Sequence, residues 1–227
     1  MKLIAAAATL LLSAPVFAYE SGSVLLRAGA ATVSPDVSSS ALALSGTALE
    51  GTAAGVKDGS ALGITATYMW RDHWGIELVA ASPFSHDLKV TGLGESFDLG
   101  ETRHLPPTVL LQYYPLAPSS KVQPYVGAGL NYTVFFEEAI SSQADSVFAT
   151  LGATDGADLS LKNSTGVALE AGVDFTFGAD QRWLFNVAVF WMDIDTKATV
   201  EVPGVGKITA DVELDPLVTM AGLGYRF

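Results

Sequence analysis

The sequence predicts an all-β fold: an eight-stranded antiparallel transmembrane β-barrel with short periplasmic turns and long extracellular loops. Three observations predict it. The 227-residue chain is 49% hydrophobic and only 16% charged, with mean hydropathy +0.36, a balance usual in membrane proteins and unusual in soluble domains. Only one apolar run, Leu3 to Phe17, approaches the ~20 residues of a membrane-crossing helix. Elsewhere apolar residues recur at every second position over segments of about ten residues, the length of a strand crossing a bilayer at a tilt.

The N-terminus reads as a secretory signal peptide. Met1-Lys2 is a short positive region, Leu3 to Leu12 an apolar stretch, and Ser13-Ala14-Pro15-Val16-Phe17-Ala18 places small residues before a cut after Ala18. No linker or repeat divides residues 19–227, which read as a single barrel domain. The formal net charge of −12 becomes −13 once Lys2 is removed with the leader, so nucleic acid is excluded as a partner. With no cysteine, disulfide, thiol and Cys-type zinc chemistry are excluded, and no cofactor is expected.

The strands follow in order. Ser23–Val33 alternates loosely. From Leu62 to Trp70, Leu62, Ile64, Ala66, Tyr68 and Trp70 share one face and Gly63, Thr65 and Thr67 the other. After the turn at Arg71-Asp72-His73, Trp74, Ile76 and Leu78 continue the apolar face against Gly75, Glu77 and Val79. Val126–Phe136, Val167–Phe177 and Trp183–Trp191 repeat the period, Thr108–Tyr114 fits it more loosely, and Leu217–Phe227 ends on an alternating run closed by a phenylalanine. Residues 71–73, 115–122 and 178–182 make short connections. Residues 34–60, 82–103, 137–158 and 196–208 are long and rich in Gly, Ser and Asp, so they belong outside. Closure satisfies every backbone group in hydrocarbon. Tyr68, Trp70, Trp74, Tyr113, Phe177, Trp183, Tyr225 and Phe227 would form the inner aromatic girdle.

Eight strands enclose a narrow lumen. Near the short turns its face carries Arg27, Glu77, Gln112, Glu170 and Asp174. Arg27 with Glu77 and Glu170 would form a charged network, either a structural plug or a proton or ion path. Higher up the face turns small and apolar, with Ala81, Leu110 and Met192 among its residues. An apolar upper lumen over a polar floor would admit a hydrophobic molecule and stop its descent. Pro106 and Pro107 lack the N–H groups of a ladder. They either open a seam with a neighbouring strand, as a lateral opening, or begin their strand beyond its hydrogen-bonded part.

Several blocks carry a resemblance: LGITATYMWRDHWGIELVAASPF (62–84), HLPPTVLLQYYP (104–115), QPYVGAGLNYTVFF (123–136), WMDIDTK (191–197) and LDPLVTMAGLGYRF (214–227). They closely resemble the outer membrane protein W family of small Gram-negative barrels. The resemblance implies an eight-stranded barrel in the cell outer membrane that takes up small hydrophobic molecules, with a lateral opening. It also implies a channel gate, an apolar pair that falls here on Val79 and Phe190. Both are smaller than the Leu and Trp of the family pattern.

Passive transport of small hydrophobic solutes is therefore the leading expectation. The alternative is a structural or receptor barrel whose loops bind phage, toxin, cations or host surfaces. Asp193, Asp195, Asp211, Glu213 and Asp215 could bind divalent cations or, through them, lipopolysaccharide; otherwise they simply keep loops solvated. An enzyme is not expected. His73 sits in a turn, His86 and His104 in or near a loop, and no nucleophile motif surrounds Ser82 or Ser85. The expected surroundings are outer-membrane lipid and lipopolysaccharide, with the chain a monomer.

Overall fold

The computed structural model describes residues 19–227 apart from Glu95; the expected leader, residues 1–18, lies outside the described residues. In chain order run β1 (Val24–Ser34), β2 (Ser38–Ser39), β3 (Leu42–Leu44), β4 (Thr47–Leu49), β5 (Ala53–Val56), β6 (Gly59–Arg71), β7 (Trp74–Ala81), β8 (Phe84–Thr91) and β9 (Phe97–Leu105). Then come β10 (Thr108–Tyr113), β11 (Val122–Ile140), the helix α1 (Ser142–Thr150) and β12 (Asp158–Leu161). The chain ends with β13 (Ser164–Phe177), β14 (Trp183–Met192), β15 (Asp195–Val202), β16 (Gly206–Glu213) and β17 (Leu217–Arg226).

Eight of these strands close on themselves in the order β10-β7-β6-β1-β17-β14-β13-β11, with β11 pairing back to β10. Every neighbour is antiparallel, so the backbone groups that hydrocarbon would leave unsatisfied are spent on the next strand. The alternation of the sequence becomes an alternation of burial. Leu62, Ile64, Val126, Leu130, Val167 and Leu223 point outward and exposed, an arrangement that only lipid favours. Tyr68, Trp70, Trp74, Tyr113, Phe177, Trp183 and Phe227 are also exposed, beside the short turns. His73 takes a left-handed conformation (φ 70°) at the β6–β7 turn, and its carbonyl accepts from the Tyr114 N–H at 2.9 Å, tying two turns together.

The long connections are ordered rather than irregular. β8 and β9 pair with each other and extend the wall beside β11, and β5 adds to β8. A second sheet, β12-β15-β16-β3-β4 with β2 on β16, stands beside it. Here the inward positions remain apolar, as in Phe84, Leu88 and Val90, while the outward ones are Ser85, Asp87 and Lys89. Outward polarity places these strands in water, beyond the apolar belt. A search for outward apolar residues therefore passes over them. Helix α1, also unanticipated, is capped by Ser141, whose Oγ accepts from the Ala144 N–H, and it buries Ala144 and Phe148 against the extracellular sheets.

Candidate functional site

Three levels stack inside the barrel: a polar floor, an apolar constriction and an apolar vestibule. Arg27 organises the floor. Its Nε and Nη2 donate to the two oxygens of Asp174, at 3.0 and 2.6 Å. Its Nη1 donates to Glu77 Oε1 at 3.0 Å and to Thr67 Oγ1 at 2.7 Å, and Nη2 reaches the Tyr114 hydroxyl at 3.0 Å. The guanidinium also lies over the Tyr125 ring, 5.2 Å from its centroid. Asp174 accepts further bonds from the Tyr19 hydroxyl at 2.6 Å and Asn186 Nδ2 at 2.7 Å.

Glu170 joins the floor differently from the arrangement expected. The ion pairs of Arg27 go to Asp174 and Glu77, whereas Glu170 accepts from Gln112 Nε2 at 2.8 Å, and Gln112 Oε1 accepts from Tyr114. The bidentate match of guanidinium and carboxylate selects Asp174. None of Arg27, Glu77, Gln112, Glu170 and Asp174 is more than 5% exposed. Tyr19, Leu25, Met69, Tyr114, Tyr125 and Leu184 pack around them as an apolar collar.

Above the floor the lining turns apolar. Val79 and Phe190 face one small cavity of about 20 Å³, together with Ala81, Met192, Met220 and Pro106. Leu110 is fully buried in the same apolar cluster. Ala80 also lines this cavity, although its side of β7 faces outward and is exposed.

The wall is incomplete there. β7 pairs with β10 up to Val79↔Thr108, and β8 pairs with β9 from Phe84↔His104 onward. Between these two ladders, residues 80–83 and 105–107 face each other without a ladder pair. Pro106 and Pro107 supply no N–H on one side, and Pro83 breaks the other. The flanking seams stay closed: the Ser82 N–H donates to the Leu62 carbonyl at 2.8 Å and the Tyr132 N–H to the Pro107 carbonyl at 3.0 Å. The exposed Leu78 and Val109 lie just below the gap, which puts it at the upper edge of the apolar belt.

The vestibule above is a cavity of about 50 Å³ with an apolar lining that includes Val33, Leu88, Leu99, Phe135, Ile194 and Leu214. His86 and His104 also line it. They lie on β8 and β9 rather than in loops, because Phe84, His86, Leu88 and Val90 alternate inward. That alternation was the signal that could have found them. Their rings stack at 4.9 Å, and His104 stacks on Phe84 at 5.4 Å. The exposed Ser85, Asp87 and Arg103 beside them are polar, so both stand outside the membrane-spanning segments. Burial lowers the His86 pKa, and burial beside His86 lowers that of His104 to about 3. Both rings are neutral at physiological pH.

Asp193, Asp195, Asp211, Glu213 and Asp215 sit at the extracellular sheet. Asp211 pairs with Lys197 at 3.1 Å, and Glu213 accepts from Ser38. Among the described residues no group of three or more His, Asp or Glu is arranged to hold a metal ion.

Comparison with known proteins matches this architecture along its whole length. The family model described as "OmpW family" covers residues 20–227. Outer membrane protein W of Escherichia coli (strain K12) is 42% identical over 227 residues, 100% of this chain and 99% of that protein. The Dibenzothiophene metabolism operon protein PahQ of Pseudomonas aeruginosa is 31% identical over 218 residues, 95% of this chain and 93% of that one. The crystal structure of OprG from Pseudomonas aeruginosa superposes with a TM-score of 0.84 at 45% identity, covering 92% of this chain and 97% of that one. The closed eight-stranded barrel, its lipid-facing belt and these relatives agree: the chain belongs to the OmpW family of Gram-negative outer-membrane barrels.

Proposed function

We propose that the protein is an outer-membrane channel that collects small hydrophobic molecules in its vestibule and releases them sideways into the bilayer through the gap beside Pro106 and Pro107. The observation that carries this reading is the unpaired stretch between residues 80–83 and 105–107 beside the cavity that Phe190 and Pro106 line. A solute resting there has apolar surface on every side and a charged floor beneath it. Transfer from water favours such a solute by about 0.8 kcal/mol per buried CH₂, whereas descent would require opening the Arg27 network. Val79 and Phe190 act as the channel gate, with Leu110, Ala81 and Met192 as its apolar approach. Arg27, Glu77, Gln112, Glu170 and Asp174 act as the polar plug. A relative named for a dibenzothiophene metabolism operon suits an apolar aromatic cargo. The lumen lies within one chain, so a monomer embedded in outer-membrane lipid and lipopolysaccharide suffices. The mature chain begins at Tyr19, whose phenol completes the floor.

The test is uptake of labelled naphthalene by cells with and without the protein. Faster uptake with the protein is expected, and equal rates would sink the reading. Replacing Pro106 and Pro107 together with valine restores two N–H donors to the gap. Uptake should then fall toward that of cells lacking the protein; unchanged uptake would remove the lateral exit.

A further inference from the structure

The vestibule is largely apolar, and one of its buried acceptors is unused. His86 is 97% buried, with 3% of its surface exposed, and its Nδ1 lies 2.6 Å from the Lys57 carbonyl oxygen. A carbonyl can only accept, so Nδ1 carries the proton. In a neutral imidazole Nε2 is then a bare acceptor. That atom is buried and has no hydrogen-bond partner. Among the described residues lining the cavity, Thr102, Thr133 and Thr196 each donate to a protein oxygen and Lys89 faces Asp98, while His104 stacks between Phe84 and His86. A buried polar atom without a partner is unfavourable and rare, and a donor brought to it removes the cost.

The ring is held in place to receive one. Stacking on His104 fixes its plane. Its Cε1–Nε2 edge lies over Gly59, where an added Cβ would stand 2.6 Å from Cε1 and 2.9 Å from Nε2. Gly59 does not have a positive φ, so its backbone needs no glycine. The missing side chain lets the ring edge pack this closely against the Gly59 backbone. The Phe84–His104–His86 stack also runs from the lower cavity, which Phe84 lines, into the vestibule.

We propose that His86 Nε2 is the polar anchor of a solute subsite, selecting apolar molecules that carry a single hydroxyl donor, such as phenols and aliphatic alcohols, over their ethers and parent hydrocarbons. The proposal rests on the channel reading and adds the chemical class that the vestibule prefers. An ether of the same shape fills the same apolar space but leaves Nε2 unpaired.

The experiment is equilibrium binding of naphthol and of its methyl ether to the full barrel in nanodiscs, corrected with empty discs. The wild-type protein should bind naphthol about fivefold more tightly than the ether, the size expected of one neutral hydrogen bond. His86→Phe keeps the stack and removes the acceptor, and Gly59→Ala displaces the ring edge; in each the ratio should fall to about one. Folding is checked by the heat-dependent gel shift of the closed barrel, so two separate variants guard against loss of the fold. Equal affinities in the wild type, or a ratio unchanged in His86→Phe, overturn the anchor and leave the channel standing. Binding of neither probe overturns both.

Discussion

Replacing Arg27 with methionine tests whether the floor is a tightly held plug. The guanidinium makes six hydrogen bonds to five side chains, and both of its ionic partners have fully buried side chains. Asp174 would keep Tyr19 and Asn186 as donors, whereas Glu77 would keep only Thr67 among the bonds described. Glu77 therefore bears most of the loss. Removing one partner of a buried ion pair costs about 3–5 kcal/mol, and the donors left on Asp174 argue for the middle of that range, about 4 kcal/mol. With a urea slope of about 2 kcal/mol/M, the unfolding midpoint in lipid vesicles should fall by about 2 M. Tryptophan fluorescence and the gel shift both read that midpoint. Adding Glu77→Gln and Asp174→Asn should recover much of the loss, because the variant then holds fewer buried charges without a partner. A midpoint within about 0.3 M of the wild type would refute the reasoning and leave the floor as loosely packed polar side chains.

Other outcomes follow from the same geometry. Tyr19→Phe removes one bond to a buried carboxylate and should lower the urea midpoint by less than Arg27→Met, since a hydrogen bond to a charged group contributes about 1.5–3 kcal/mol. Phe190→Ala should destabilise the barrel by about 3–5 kcal/mol while speeding uptake of bulkier aromatic probes; uptake unchanged in size preference would remove Phe190 from the constriction. The vestibule should loosen in acid. His104 titrates near 3 in the folded chain against an ordinary 6.5, so the unfolded chain binds more protons between those values. The stability contributed by neutral His104 is present above about pH 6.5 and declines as pH falls toward 3. Amide exchange in β8 and β9, corrected for intrinsic rate, should accelerate at about pH 4.5 relative to pH 7, and His104→Phe should reduce the change, leaving the share that the buried His86 contributes.

The membrane-spanning half of the fold was legible because lipid imposes one rule on every strand. Leu62, Ile64, Tyr68 and Trp70 must face out, so Gly63, Thr65 and Thr67 face in, and the same parity turns Arg27, Glu77 and Asp174 inward. Pairing inside the floor was less legible. Parity and depth place Glu170 and Asp174 together on β13, four residues apart on one face, and cannot choose which of them the guanidinium meets. Above the belt the rule lapses. Ser85, Asp87 and Lys89 meet water, so β8 resembles a loop when judged by outward hydrophobicity, and its histidines pass for loop residues. The gap needed two breaks facing each other. Pro106 and Pro107 supply one, but the matching Pro83 acquires meaning only once β8 is known to continue from β7.

The seam between β1 and β17 bears on assembly. Residues about 200 positions apart in the chain meet there, from Leu25↔Arg226 to Ser34↔Leu217, and no turn joins them. Midway, Gly29 faces Gly222, and a side chain on either would collide with the opposite backbone. The hairpins β6–β7 and β13–β14 can form locally, but this last contact waits until both ends of the chain have reached the bilayer. Until then two strand edges lie open, each able to recruit a foreign strand. An alanine at Gly29 or Gly222 should therefore do its damage in the kinetics of insertion, lengthening the time the nascent cylinder spends unsealed and exposed to proteases and to its own kind.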